Sequence, residues 1–453
     1  MADVARHLHL IASVVLLLSS GCGDSAATSN GGAGGSGAGG AASTNTGGGS
    51  SSSTGGSDLG GEGGTGGAAE PPDPCLDATP ECPAHTGLAE GGGLRTIDRC
   101  AYPLNDKGTW EDKGAIVDAL AAKLSIATID DIAQDLNRVG TPASDVVGNV
   151  STIARAFSFS DSDNATGEWW PQGITGTWDA TAEGTLGGKK LALVSWYHGG
   201  GPGTPSTDVR LSLVDVTGNT YPYRLLLLVE PTGTPEAPDF VSVPLHSGGV
   251  AWVGRYLYIV DTWNGFRVFD MERILRPDIG EADQMGYDPA SDSYYAQNFK
   301  YIVPQIGHYE DPNLCNQRFS FVSIDRSTDP VSVVTGEYDP DSVYGGIFRY
   351  PVDETGLLKG GPTLFPAEAW VCGQKALQGV VANEGQFWMS SSAPDGWDGE
   401  LYRAAPDSPS ETYGWNKWPE DLSYEPADDL LWSVSEGENE RFVFATPLSA
   451  VSQ

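Results

Sequence analysis

The sequence predicts an all-β chain and, within that class, a β-propeller. Three observations carry the prediction. From residue 172 onward helical periodicity gives way to short alternating and aromatic-rich runs; Gly, Pro, Asn or charged turns bound them; and where the pattern is clearest they come in sets of four, the strand content of one propeller blade.

The first set reads QGITGTWDA, KKLALVSWYH, VRLSLVDVT and YRLLLLVEP, directly after Pro171. The second reads SGGVAWVG, RYLYIVDTW, GFRVFDMER and, after an acidic insertion, FKYIVPQIGHY. RFSFVSIDR, PVSVVTGEYD and GGIFRYPVD make a third, LQGVVANEGQFWMSSS and GELYRAAP a fourth, and PEDLSYEPADDLLWSVSEGENERFVFATPL a fifth. The sets start at Gln172, Ser247, Phe319, Gln378 and Glu420, an uneven spacing that marks a motif with loop insertions rather than a fixed period. Five blades are expected, with six as the alternative count and a two-sheet sandwich as the alternative architecture. The last set is one strand short. ARAFSFSD, residues 154–161, is expected to complete it by joining the two ends of the domain, which removes exposed sheet edges.

Ahead of the strands, residues 114–137 carry apolar residues at helical spacing. They predict two short helices, with Thr128 as N-cap of the second. Residues 75–150 are therefore read as a Cys-containing helical leading segment and 151–453 as the propeller. Residues 23–74 are a disordered Gly/Ser-rich tether with almost nothing able to build a core, spanning about 40 Å as a flexible coil. The tether contains a formal GxGxxG at Gly32–Gly37, but no strand precedes it and no helix follows, so the dinucleotide reading fails. Residues 1–22 have the form of a signal peptide: Arg6, an apolar run from Leu10 to Leu18 too short to span a bilayer, then Leu18-Ser19-Ser20-Gly21-Cys22. That ending resembles a bacterial lipobox with Cys22 as the lipidated residue, although Leu stands one place too far from the Cys. The expected address is exported and bacterial, either a cell-envelope lipoprotein held to the membrane by its lipid anchor only or a secreted protein.

Charge narrows the partners. With 60 acidic against 25 basic residues and a formal net charge of −35, nucleic acid and anionic lipid are excluded as natural partners. Cations and neutral glycans are not. Five cysteines follow Cys22, and an exported chain is expected to pair them, leaving one over. The pairs expected are Cys75 with Cys82, closing a small loop, and Cys315 with Cys372, joining neighbouring blades. No CxxC occurs, which argues against a zinc knuckle or a redox pair.

In a propeller the inner strands converge on a central channel, so their first residues cluster although they lie far apart in sequence. Those positions hold Gln172, His246, Ser320, Gln378, Glu420 and Asp421. Oxygen donors of this kind suit Ca2+. His246, before two glycines, is a candidate general base or ligand; with Glu420 and Asp421 it completes the catalytic candidates. Trp397, Trp415 and Trp418 lie in polar segments with Gly and Pro, and together with Gln172 and Gln378 they are the candidate ligand-binding residues. His198 precedes a Gly-rich loop, and His308 has no evident partner. Asp161, Asp163 and Glu168 in DSDNATGE depart from the EF-hand spacing, because Gly167 is late and the twelfth-position Glu is missing. GxSxG, HExxH and a P-loop are all absent from the sequence.

WWPQGIT, LVSWYH, HSGGVAWVGRYLYIVDTWNGFRVFD, FSFVSIDR, LQGV and PEDLSYEPADDLLWSVSE together resemble a family of secreted β-propeller proteins of filamentous soil bacteria, over residues 165–445. The Gly-rich leader is similar in style to those of myxobacterial surface lipoproteins. The resemblance implies a fold and an extracytoplasmic address, and no reaction. More distantly, the blades resemble lactonase and gluconolactonase-like propellers, which implies a metal in the channel, held here by Glu420, Asp421 and Gln172. Two functions are thus expected: a surface-tethered protein that binds an extracellular glycan, peptide or protein partner, or a calcium-dependent hydrolase of the lactonase type.

Overall fold

The structure, a computed structural model, describes residues 72–200, 205–392 and 398–452. Cys22, residues 23–71 of the tether and Trp397 lie outside the described residues, whereas residues 72–74, expected to belong to the tether, are described, with Pro74 opening a 3-10 helix.

Among the described residues, a small hairpin of Met285–Asp288 with Ser293–Ala296 apart, five antiparallel groups follow one another along the chain. The first comprises Trp169–Gly176, Leu191–His198, Asp208–Asp215 and Pro222–Thr234, and the second Val250–Val253, Tyr256–Asp261, Gly265–Asp270 and Ile302–Glu310. The third comprises Phe319–Asp325, Ser332–Glu337, Gly346–Pro351 and Glu368–Val371, and the fourth Leu377–Asn383, Gln386–Ser391, Glu400–Ala404 and Glu411–Gly414. The fifth has Pro419–Glu425, Leu430–Ser435 and Phe442–Pro447, and its fourth strand is Arg155–Ser158, paired from Phe442 opposite Ser158 to Ala445 opposite Arg155. Residues from the start of the domain therefore complete the last group, as residues 154–161 were expected to do. In the first two groups the outer strands also pair in parallel, Leu227–Val229 against Ile302–Pro304, which makes them one continuous sheet.

Alternation along each strand sends neighbouring side chains to opposite faces, and each face buries against a different neighbour. In the fourth group Val380 packs with Phe321, Val334 and Ile347 of the third, whereas Val381 packs with Leu422, Leu431 and Phe444 of the fifth. Leu193 and Leu211 meet Trp252 and Ile259, and Val260 and Val268 meet Val322 and Phe348. Ile174, Val194 and Trp196 meet Trp432 and Val434, so the first group closes on the fifth. Five apolar layers thus join the five groups into a ring, with the first strand of each on the axis. That is a β-propeller.

The leading segment is woven into this ring. Helix Trp110–Lys123 buries Leu120 against the outer strands of the first two groups, and Thr128 caps helix Ile129–Ala133 in a reciprocal capping box with Asp131. Short strands Arg95–Thr96, Leu104–Asp106 and Arg138–Val139 pair with the third, second and first groups, and Ser125–Ala127 pairs with Ile274–Arg276, which itself pairs with the outer strand of the second group.

The disulfides differ from expectation. Cys75 bonds Cys100, with Cα atoms 5.0 Å apart, and Cys82 bonds Cys315, with Cα atoms 5.5 Å apart. Asp73 and Arg99, ion-paired at 2.9 Å, draw together the two short 3-10 helices that carry Cys75 and Cys100. Cys372 is the unpaired one. It sits in the apolar layer between the third and fourth groups, where no second cysteine reaches, and its thiol donates to the Gln374 carbonyl at 3.0 Å.

Candidate functional site

The mouth of the ring holds a cavity of about 850 Å³. Gln172, His246, Ser320, Gln378 and Glu420, residues expected on the channel from their places in the chain, all line it. A local irregularity puts all of them but His246 there; His246 lies just ahead of its strand. In four of the five inner strands the pairing register slips at the ring residue: between Pro171 and Ile174, Phe319 and Phe321, Leu377 and Gly379, and Pro419 and Leu422. A β-bulge re-aims the side chain it contains, here toward the axis. The bulged backbones are tied down by second-strand side chains, three from the same group and one, Ser390, from the neighbouring group. Ser195 accepts from the Gly173 N–H at 2.9 Å, Thr335 donates to the Phe321 carbonyl at 2.6 Å, Ser390 to the Glu420 carbonyl at 2.7 Å, and Ser433 to the Asp421 carbonyl at 3.1 Å.

Below the mouth the axis is packed shut. A Cβ on Gly173 would stand 2.6 Å from the Val250 nitrogen, and one on Gly249 2.3 Å from the Val322 nitrogen, so only glycine lets the inner strands approach this closely. Asp421 belongs to this plug. Its Oδ2 accepts from the Ile174 and Val250 N–H groups at 3.4 and 3.2 Å, satisfying inner-edge donors of the first and second groups, and it is absent from the cavity lining. Asp421 is therefore a strut between inner strands, and the expected set of Glu420, Asp421 and Gln172 does not converge on one point. Among the described residues no cluster of three or more His, Cys, Asp or Glu is arranged to hold a metal.

A second tier of lining residues comes from the ends of the second strands, which run back up to the mouth: Asp261 to Trp263, Tyr338, Ser392 and Glu436. Glu436 is one of the lining residues that sequence reasoning missed, Trp263 another. Gln172 Nε2 donates to Glu436 Oε2 at 2.8 Å, and Gln378 Nε2 donates to Glu420 Oε1 at 3.4 Å, so each carboxyl faces an amide. Burial raises Glu420 well above the usual carboxylate range, and the charges of Glu436 and Asp421 add to it. Burial also raises Glu436, but the Gln172 bond and nearby Arg441 pull against it and leave it at about 7. The His246 ring stacks on Tyr197 with centroids 4.3 Å apart, and burial, helped by Arg318, lowers it to about 4, so it is neutral at pH 7.

The tryptophans divide. Trp418 lines the cavity at 39% exposure, and Trp263, not expected to take part, lines it at 52%. Trp415 is fully buried against Phe444, with ring centroids 5.2 Å apart, and is corrected from ligand-binding to core. The leading segment covers it: Asn149 N–H donates to the Trp415 carbonyl at 2.8 Å. Arg318 lies over Trp263 at 5.2 Å and over Tyr338 at 5.8 Å, holding both rings at the rim. The other sequence candidates lie apart. His198 Nδ1 meets Thr207 Oγ1 at 2.7 Å and His308 Nε2 meets the Asn264 carbonyl at 2.9 Å; Asp163 is buried in ion pairs with Arg138 and Arg210 at 2.9 and 3.0 Å.

No family model and no curated protein matches the chain, so the resemblance to secreted soil-bacterial propellers gains no support there. Solved structures do match. The β-propeller domain of Cps50 (Swd1) from Myceliophteria thermophila is 10% identical, covering 66% of this chain and 99% of its own at a TM-score of 0.31. A GH43_1 enzyme from Xanthomonas citri is 8% identical, covering 74% and 93% at 0.31. A gluconolactonase from Xanthomonas campestris is 9% identical, covering 68% and 88% at 0.28. At such scores these likenesses add nothing to the fold assignment, which rests on the ring of sheets.

Proposed function

We propose that this chain is a five-bladed propeller, one blade for each antiparallel group, that binds a neutral, hydroxyl-rich ligand of the glycan class in the mouth of its ring. The observation that carries the reading is the cavity itself, which sets two exposed indole rings above a floor of amides and carboxyls. Flat rings stack on the apolar faces of sugars, and paired amides and carboxyls exchange hydrogen bonds with hydroxyls. The acidic balance of the chain disfavours anionic ligands.

A glycan array followed by titration calorimetry tests this. Trp263→Ala and Trp418→Ala are each expected to weaken the bound glycan by about tenfold, the loss of roughly one stacking contact. Unchanged affinity in both variants would refute the site.

Export and anchoring belong to the same proposal. No helix among the described residues is long and apolar enough to cross a membrane, and the two disulfides suit an oxidising compartment. Mass spectrometry of the mature N-terminus should find an acylated Cys22, and Cys22→Ala should release the protein from the envelope fraction.

Calcium-dependent hydrolysis of the lactonase type draws on one observation, the buried Asp421 Oδ1 that has no partner among the described residues. Elemental analysis decides it: a domain free of calcium whose melting ignores chelator leaves that reading nothing to stand on.

A further inference from the structure

The floor of the cavity carries two carboxyls with different surroundings. Glu420 is 2% exposed, lies in a bulge of an inner strand, and has one long hydrogen bond, from Gln378 at 3.4 Å. Glu436 follows the second strand of the same group, and its N–H donates to the Trp418 carbonyl at 3.1 Å, which places it across the hairpin from Glu420. It accepts a 2.8 Å bond from Gln172, and its own carbonyl accepts from Arg441 Nε at 3.1 Å. Beside them lies Tyr197, fully buried, with a hydroxyl that has no partner among the described residues and that feels the charge of both carboxyls.

Two carboxyls whose environments push their ionisation apart are the arrangement that splits acid and base roles. Glu436 ionises first, near pH 7, because the Gln172 bond and Arg441 favour its charged form; Glu420 keeps its proton, because its neighbours are burial, Asp421 and the Glu436 charge. The charged and titratable groups around the pair are thus Arg441, Asp421, Tyr197 and Tyr338 and, elsewhere on the cavity wall, Arg318, His246, Asp261 and Asp398.

We propose that the mouth cavity hydrolyses the glycosidic bond of the glycan it binds, with Glu420 as general acid and Glu436 as general base. The Glu420 carboxyl gives its proton to the glycosidic oxygen as the bond from that oxygen to the anomeric carbon breaks. The Glu436 carboxylate takes a proton from a water molecule as the water oxygen bonds to the same carbon. One water is consumed and two free hydroxyl-bearing products leave. Solvent then returns the proton from Glu436 to Glu420.

This inference rests on the glycan reading, and the experiment separates the two. Glycans bound by the wild-type full chain in the array are incubated with it, and free sugar is followed by chromatography, alongside the 4-nitrophenyl glycoside of the same sugar. Wild type is expected to cleave both. Glu436→Gln is expected to lose about 10²- to 10⁴-fold on both, the usual worth of a positioned base. Glu420→Gln is expected to lose as much on the glycan and under about tenfold on the nitrophenyl glycoside, whose leaving group departs without a proton. If a variant fails to fold, the wild-type profile of kcat/KM decides: it should rise through pH 7 as Glu436 ionises and fall at higher pH as Glu420 ionises, and a profile without the limb near 7 overturns the assignment. Binding without cleavage, or cleavage with no difference between the leaving groups in Glu420→Gln, also overturns it and leaves the binding reading intact. Absence of binding to every glycan overturns both.

Discussion

Asp421 shows how one carboxyl can close a channel. Inner strands of a propeller leave N–H groups facing the axis with no neighbouring strand to accept them, and buried donors without partners are costly. Asp421 reaches across to Ile174 and Val250 and accepts from both. Asp421→Ala is expected to cost about 2–3 kcal/mol by stranding these donors, whereas Asp421→Asn, which keeps an acceptor oxygen, should cost less; urea denaturation checks the order, and equal losses would refute it. At this scale the ring residues Gln172, His246, Ser320, Gln378 and Glu420 were legible because each stands near the start of a run that reads as an inner strand, although Gln172 lies within Trp169–Gly176 and His246 ahead of Val250–Val253. Asp421 follows Glu420 by one residue and was assigned to the cavity with it, since a bulge is invisible in a pattern that counts strand starts. Glu436 was hidden differently: it ends a second strand, and the acidic or small endings of VDTW, GEYD and SVSE were visible without any reason to aim them at the same cavity. The serines that fix the bulges, Ser195, Ser390 and Ser433, with Thr335, stand at matching places in LVSW, WMSS, LWSV and VVTG, and were the available signal.

At the level of strands and helices, the sequence pattern was strongest where both faces of a strand are buried and weakest at the edges of the sheets. QGITGTWDA reads as one strand, but the strand ends at Gly176 and Thr177–Ala180 turn into a short helix, in which Asp179 accepts from Thr175 at 2.8 Å and Ser423 at 2.6 Å. Glu368–Val371 was not read as a strand, because its four residues open with an exposed Glu and lie between loops. Strand Arg155–Ser158 was legible because its alternation is clear and the fifth set lacked a member. Its Phe157 is fully buried and stacks on Tyr221 with centroids 4.5 Å apart. Phe157→Ala should therefore cost about 3–5 kcal/mol, read as a lower denaturation midpoint; a loss below 1 kcal/mol would mean that the closing strand is dispensable. The disulfide pairing was not legible, because nearness in sequence, as between Cys75 and Cys82, says nothing about which loops fold together.

Across the whole molecule, buried acids set the dependence of stability on pH. Burial raises Glu337 and Glu436 to about 7 and Asp311 to about 6, and raises Glu420 and Asp421 as well. An acid whose folded pKa is raised holds a proton that the unfolded chain has released, so the stability it contributes is present at low pH and lost as pH rises through the folded value. His246, lowered to about 4, and His308, also lowered, act oppositely, but only below their unfolded value of 6.5. Between pH 6.5 and 8 the acids act alone, and the melting temperature is expected to fall. Scanning calorimetry across that window tests it, and Glu436→Gln should flatten the slope; a melting temperature that rises with pH would contradict the burial of these groups.

Closure of the ring has a consequence for how the chain is made. Arg155–Ser158 leaves the ribosome well before its partner, Phe442–Pro447, which follows it by more than 280 residues. Until then the ring stays open and two sheet edges wait unpaired, a state prone to misassembly if it lingers. A chain that stops short of Phe442 would leave that early strand without its partner, so termination ahead of this strand should yield aggregates rather than a shortened but working propeller.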